Sequence, residues 1–364
     1  MKSDNTIINA AVVDLFCGAG GMTHGFIKEG LPVIAGIDVD PACRYPFEHN
    51  NNGAKFIEAD IQDLSGTTIS RLFPKSYIKI LAGCAPCQPF SSYTNTLKDS
   101  DKEKDTKWGL LNEFARLVEE IRPEIVTMEN VIQLTKRQVF HDFVESLVKL
   151  GYHVTKYEVY CPEYGVPQNR KRLVLLASLF GKISLIKPTH SPESFKTVRK
   201  TIGCLPPIEA GSASKKDRLH KASRLSERNF ERIRASKPGG TWRDWDSTLV
   251  AECHKRTTGK TYPGVYARME WDKPSPTITT QCYGFGNGRF GHPEQDRGIS
   301  LREAAMLQTF PRCYRFVPPR DPVIIKAIGR MIGNAVPVRL GKIVARSILR
   351  HLKAYETATG TIES

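Results

Sequence analysis

A thiol held between two prolines is the first place in this sequence where covalent chemistry is legible. The run Gly83-Cys84-Ala85-Pro86-Cys87-Gln88-Pro89-Phe90-Ser91 restrains the backbone on both sides of Cys87, since proline fixes its own φ. Cysteine attacks as the thiolate, so a nucleophile here needs a partly exposed, electropositive setting. Cys84 and Cys87 also form a Cys-x-x-Cys pair. Zinc would need two further ligands, and the nine cysteines hold no second such pair. A redox pair is the other reading, although two prolines around Cys87 are not the usual thioredoxin setting. Two more clusters could converge on this thiol. Glu129, in Glu129-Asn130-Val131, ends an apolar run and could serve as a proton donor when partly buried. An exposed strand-end carboxylate would read the same way. Arg170 and Arg172, in Gln168-Asn169-Arg170-Lys171-Arg172, share one face of a strand by alternation and could bond a base carbonyl or a phosphate. A basic strand edge that discourages aggregation is the alternative there.

A second constellation sits near the start of the chain. Asp14-Leu15-Phe16-Cys17-Gly18-Ala19-Gly20-Gly21 follows an apolar run, and glycines at that point allow a tight turn and close approach of backbone to a ligand. Gly18 and Gly20 match the start of a dinucleotide fingerprint, but Thr23 stands where its third glycine belongs. No lysine follows in the phosphate-loop manner. Asp38 lies 20 residues beyond Gly18, the usual place for a carboxylate that grips ribose hydroxyls. Asp60 ends a third apolar run and could accept from an adenine amino group. These three features point to an adenosine-type cofactor, and they leave the nucleotide class open.

The elements that would position these residues alternate. Ala10–Phe16, Pro32–Ile37, Lys55–Ala59, Ile78–Ala82, Glu124–Met128 and Leu173–Ser178 read as strands. Helices are expected after the glycine cluster through Lys28, near Pro41–Asn50, over Leu110–Ile121 and over Val139–Leu150. Alternation of this kind predicts an α/β fold with a mostly parallel sheet covered on both faces. The 364 residues suit two domains, or one large domain with an insertion. With 40% apolar and 25% charged residues, the composition is that of a globular protein and excludes a disordered or fibrous one. The apolar runs are too short to span a bilayer, and no secretory signal pattern is visible. The cysteine pattern suits reduced intracellular thiols.

The formal charge is +15 and it is unevenly placed. Residues 1–181 carry a net of −2, residues 182–264 a net of +10, and residues 265–364 a net of +7. The middle stretch also holds Pro188, Pro192, Pro206, Pro207 and Pro238, and it shows little apolar periodicity. An inserted module that binds a polyanion is one reading; a solvated lysine-rich surface is the other.

Taken in order, Phe16-Cys17-Gly18-Ala19-Gly20-Gly21, Pro86-Cys87-Gln88, Glu129-Asn130-Val131, Gln168-Asn169-Arg170-Lys171-Arg172 and Gly333-Asn334-Ala335-Val336-Pro337 resemble the hallmark motifs of DNA (cytosine-5)-methyltransferases, of the bacterial restriction–modification type. Pro274–Thr280 resembles the structural motif that follows that family's target recognition domain. The resemblance spans about residues 11–340 and leaves only the middle insert without motifs. It implies a Rossmann-like, S-adenosylmethionine-dependent methyltransferase fold, with residues 1–181 catalytic, 182–264 a smaller target recognition domain and 265–364 a return segment. It further implies that Cys87 adds to cytosine C6, Glu129 contacts the ring N3 and amino group, and Arg172 contacts O2 with support from Arg170. S-adenosylmethionine would lie near Phe16, Gly18 and Gly20, with Asp38 at the ribose hydroxyls, Asp60 at the adenine amino group, Val39 and Ile61 also binding the cofactor, and Leu110 and Asn334 completing the pocket. No metal is implied. Cys84 departs from the family's Gly-Gly-Pro-Pro-Cys wording, and altered packing is expected there.

The implied substrate is double-stranded DNA, whose target base must leave the helix to be reached. The implied setting is a cytoplasmic monomer without membrane attachment, nucleoid-associated when on DNA, beside an independently acting restriction endonuclease. Residues 92–107 read equally as a mobile lid and as a disordered connector. Arg224, Arg228, Arg232, Arg234, Trp242 and Arg243 are the candidates for DNA contact in the insert. Two alternatives remain: a tRNA cytosine-5 methyltransferase, against which the absent Cys-Phe-Thr signature counts, and a non-enzymatic DNA-binding module. Thr23 counts against a nicotinamide-linked dehydrogenase.

Overall fold

A computed structural model describes residues 9–86, 109–257 and 259–360. Cys87 and the expected lid at 92–107 lie outside the described residues. The chain divides into two compact units, one of residues 1–160, 171–187 and 338–364, the other of residues 161–170 and 188–337.

The first unit is built on a seven-stranded sheet in the order β3-β2-β1-β4-β5-β7-β6. Its strands are β1 (Ala10–Leu15), β2 (Val33–Asp38), β3 (Lys55–Glu58), β4 (Ile78–Gly83), β5 (Ile125–Asn130), β6 (His153–Tyr160) and β7 (Lys171–Ser178). β1 to β5 pair in parallel, and β7 runs antiparallel to both β5 and β6. Every residue of β1 and β5 is buried, which is why the central strands read as unbroken apolar runs rather than alternating ones. Helices α1 (Gly21–Lys28), α2 (Arg44–Asn50), α3 (Gly66–Ser70), α4 (Gly109–Ile121) and α5 (Gln138–Lys149) fill the crossovers. In α4 the apolar residues Leu111, Phe114, Leu117, Val118 and Ile121 recur at three- and four-residue steps and are buried. Phe114 meets Phe143 of α5 with ring centroids 5.3 Å apart.

The second unit carries short helices: α6 (Val198–Ile202), α7 (Glu227–Ala235), α8 (Glu252–Lys255), α9 (Leu301–Leu307) and α10 (Ile325–Asn334). The chain then returns to the first unit as α11 (Val338–Thr359). Gly25 of α1 lets α11 approach closely, since a Cβ there would lie 2.5 Å from the Val338 carbonyl oxygen. With no sheet of its own among the described residues, the second unit satisfies many backbone carbonyls through buried arginines. Arg268 donates to the carbonyls of Ile233, Ser236, His292 and Gln295. A small apolar core of Ile233, Trp242, Trp245 and Phe285 lies under α7 and the following loops.

These unit boundaries differ from the composition-based ones at 182 and 264. Residues 182–187 stay with the sheet, because the Ile183 carbonyl accepts from Thr155 Oγ1 at 2.9 Å and the Tyr157 hydroxyl at 3.1 Å. The Ile186 amide also donates to Ser347 Oγ of α11. Residues 265–337 stay with the insert, held by Arg268 as above. Strand β6 and helix α11 were not among the elements expected from the sequence. β6 is half-exposed along most of its length, so its apolar signal is diluted by Lys156 and Glu158.

Candidate active site

Glu129 stands near the end of β5, opposite Val174 of β7. Arg172 lies two residues along from Val174, on the same face, so its long side chain reaches back diagonally. Its Nε comes within 3.0 Å of Glu129 Oε1. The pair is nearly sealed, with Glu129 only 2% exposed. The guanidinium neutralises the carboxylate without completing its hydrogen bonds: among the described residues, Oε1 accepts none. The other oxygen, Oε2, accepts from the Cys84 thiol at 3.1 Å. Asn130 donates through Nδ2 to the Ala85 carbonyl at 3.1 Å, and its Oδ1 accepts from the Val131 amide at 2.8 Å. Asn130 thereby ties the end of β5 to the Cys84–Pro86 segment that leads into Cys87. An acid group with one open acceptor, a guanidinium and a strap to the approaching chain is suited to holding a heteroaromatic ring by its polar edge.

The glycine turn after β1 is likewise organised. Phe16, Gly18 and Gly20 have φ of 58°, 51° and 83°, left-handed values that glycine adopts without strain. A Cβ on Gly18 would meet nothing within 4 Å, so open space lies beside that backbone. The Gly18 amide donates to Asp38 Oδ2 and the Asp40 amide to Oδ1, both at 2.9 Å. Burial pushes the Asp38 carboxyl up, against the pull of those two amides. Asp60 caps the short turn after β3 by accepting from the Gln62 amide at 3.0 Å. Val39 is 60% exposed, whereas Ile61 is buried in the core of this unit and Leu110 packs against that core. Beneath the turn, Thr23 donates to Asp14 Oδ2 at 2.5 Å. Thr23 is therefore a partner for a buried carboxylate. Cys17, also buried, has its thiol pushed well up by desolvation and is no candidate nucleophile.

The remaining motif residues lie in the second unit. Gln168 Oε1 accepts from the Ile278 amide at 2.9 Å, and its Nε2 donates to Gln308 Oε1 at 2.9 Å. Gln308 in turn donates to the carbonyls of Ile332 and Ala335. Arg170, 4% exposed, donates to the Ile278 carbonyl at 3.3 Å. It precedes β7, and its guanidinium is engaged in the second unit while that of Arg172 is engaged on Glu129 in the first. Gly333 packs against the Thr279 backbone, where a Cβ would sit 2.2 Å from the carbonyl carbon. The next residue, Asn334, is exposed. Gln168, Gln308, Asn130 and Cys84 are the organising residues that spacing alone did not reveal; a buried glutamine or asparagine beside a motif was the only available hint.

With this geometry in place, the relatives are informative. The model of the C-5 cytosine-specific DNA methylase family matches residues 10–350. The chain belongs to that family. It is a DNA cytosine-5 methyltransferase, in a family that uses S-adenosylmethionine. It is 54% identical over 346 residues to Type II methylase M.HgiDII of Herpetosiphon aurantiacus, covering 94% of this chain and 96% of that one. It is 28% identical to Type II methyltransferase M1.HphI of Haemophilus parahaemolyticus, over 93% of this chain and 86% of the relative. Among solved structures, a prophage-encoded protein of Escherichia coli, named for DNA modification methylation, superposes with a TM-score of 0.72 at 22% identity. That match covers 94% of this chain and 99% of the other, and it supports the fold.

In the methyltransferase, the insert residues singled out for DNA contact mostly hold the second unit together. Trp242 is buried, donates through Nε1 to the Tyr262 carbonyl at 2.9 Å and stacks on His254. Arg232 donates to the Leu249 carbonyl, Arg228 pairs with Glu231, Arg234 with Asp296, and Arg243 donates to the Lys260 carbonyl. Arg224 lies beside Gly211 but is exposed. Arginines so engaged by backbone are poor first choices for reading bases. A groove of about 790 Å³ in the same unit is lined by Lys216, Arg218, Arg312 and Arg315, with Asp217 there paired to Arg302 at 2.6 Å. No described helix is long and apolar enough to cross a membrane.

Proposed function

We propose that the chain methylates C5 of one specific cytosine in double-stranded DNA through a covalent bond between Cys87 and C6 of a base flipped out of the duplex. The observation that carries this reading is the buried Glu129, whose charge is balanced by Arg172 and whose Oε1 is left as an open acceptor. The amino group on a cytosine edge is a donor that complements that acceptor. Cytosine C5 is a poor nucleophile. The Cys87 thiolate forms the S–C6 bond and the ring π electrons move toward C5, while Glu129 and Arg172 hold N3, the amino group and O2. C5 would then take up the methyl group as the bond from that carbon to the donor's sulfonium sulfur breaks and its electron pair stays on sulfur. Loss of the C5 proton to a base returns the electron pair to the ring and expels the thiolate. Flipping is required because C6 cannot be reached inside a stacked duplex.

The glycine turn fits an adenosine-type group, with open space beside Gly18 and the Asp38 carboxylate held at the end of β2. S-adenosylmethionine supplies the methyl group when bound. We assign Phe16, Gly18, Gly20, Asp38, Val39, Asp60, Ile61, Leu110 and Asn334 to its pocket, Ile61 through its backbone because its side chain is buried. The resemblance to Type II enzymes supports modification of host DNA beside a separate endonuclease, in the cytoplasm. Incubation with methyl-labelled cofactor and varied duplexes should label cytosine; no incorporation into any duplex overturns the reading. Cys87→Ser should fail to form the trapped complex with 5-fluorocytosine DNA, and a surviving complex overturns the nucleophile assignment.

A further inference from the structure

Cys84 occupies a position at which the motif wording of this family has glycine, and its thiol does more than fill space. β4 ends at Gly83, where a Cβ would lie 2.8 Å from the Phe114 ring, so the chain is pressed against the core as it leaves the sheet. The Cys84 amide bonds the Leu15 carbonyl at 3.3 Å, which fixes the residue at the carboxyl ends of β1 and β4. From there the half-buried thiol donates to Glu129 Oε2 at 3.1 Å. The opposite oxygen faces Arg172 Nε at 3.0 Å and accepts no hydrogen bond from any described residue.

We infer that Cys84 is a positioning residue for the methyl-transfer reaction: its thiol anchors one oxygen of Glu129 and so turns the other toward the target base. The inference rests on the role assigned above to Glu129. A carboxylate held only by one guanidinium can rotate about its last torsion, which is broad and two-fold. A donor on Oε2 removes that freedom and commits Oε1 to the ligand. The same contact excludes Cys84 as a second nucleophile, because a thiolate there would face a carboxylate oxygen with no proton between them. Among the described residues, the charged and titratable groups in contact with this carboxylate are Arg172 from β7 and Cys84 from the end of β4.

The test compares the full-length enzyme with its Cys84→Ala, Cys84→Gly and Cys84→Ser variants, reading kcat and KM for duplex DNA. Removing the donor in Cys84→Ala and Cys84→Gly should lower kcat about tenfold and leave KM near that of the parent. Cys84→Ser keeps a donor of similar reach and should recover most of kcat. Equal kcat in the alanine and parent enzymes overturns the inference. A fall in kcat that serine does not rescue overturns it too and marks a packing role. Thermal melts of each variant identify any that fail to fold, and the serine variant then carries the comparison. The Glu129 reading fails separately: Glu129→Gln with parental kcat would remove it whatever the Cys84 variants do.

Discussion

Asp14 lies at 1% exposure within β1, under the glycine turn, with the Thr23 hydroxyl on its Oδ2. Burial pushes its carboxyl up to about 7; the Thr23 hydrogen bond opposes the rise and the nearby Asp38 charge adds to it. In the unfolded chain the same group ionises near its ordinary value of 3.8. Between those two pH values the folded state keeps the proton and the unfolded state has lost it. Folding stability from this residue is therefore full below about pH 4 and falls as pH rises toward 7, by at most ~4 kcal/mol on the linkage slope. Asp14→Asn keeps an acceptor for Thr23 and removes the titration. Its melting temperature should fall less than the parent's between pH 4 and 7, and identical slopes would refute the claim. At this level the sequence was legible where chemistry needs a particular residue type. The motifs around Glu129 and Asp38 announced themselves by position at strand ends. Thr23 did not, since its meaning depends on a hydroxyl reaching back nine residues to a strand that spacing cannot see.

Elements were legible where their residues repeat with a period. The buried strands β1, β4 and β5 and the helix α4 stand close to where their apolar runs placed them. The second unit was read only as an insert with little periodicity, because its order comes from side chains that bond backbone rather than from ladders. Arg297 and Glu303 show the cost of that strategy. Each is 1% exposed, and they pair through two hydrogen bonds of 2.7 Å, while Glu303 also caps α9 by accepting from the Ser300 amide. Burial alone would raise the Glu303 carboxyl; the Arg297 hydrogen bonds and charge outweigh it and hold the group low. Arg297→Met would leave a buried carboxylate without its counter-charge, which typically costs about 3–5 kcal/mol. We expect a large fall in melting temperature in that variant. Replacing both partners, Arg297→Met with Glu303→Leu, should recover part of the loss, although the cap to Ser300 is gone. A single variant as stable as the parent would show that the pair contributes nothing to the second unit.

For the whole molecule, the division into compact units sharpens the charge asymmetry. The second unit holds 27 basic and 15 acidic residues, a net of +12, and the first holds 26 and 23, a net of +3. A duplex carries one negative charge per ~1.7 Å of axis, so the second unit is the part of the chain whose field favours it. Many of its arginines are already engaged internally, which leaves exposed lysines and groove-lining arginines as the candidates for phosphate contact. Each such contact releases a counterion, and the logarithm of the binding constant falls against the logarithm of salt with a slope of about −0.9 per contact. Substituting Lys215, Lys216 and Arg312, all exposed residues of the second unit, with glutamine should make that slope shallower by up to about 3 in a duplex-binding titration. The same treatment of Lys55, Lys75 and Lys353, exposed residues of the first unit, should leave the slope near that of the parent. Because phosphate contacts carry no sequence information, the first set should weaken binding to cognate and unrelated duplexes by similar factors. Equal slopes in the two sets would mean that the +12 of the second unit serves solvation rather than DNA. Loss confined to the cognate duplex would mean instead that these cations read bases.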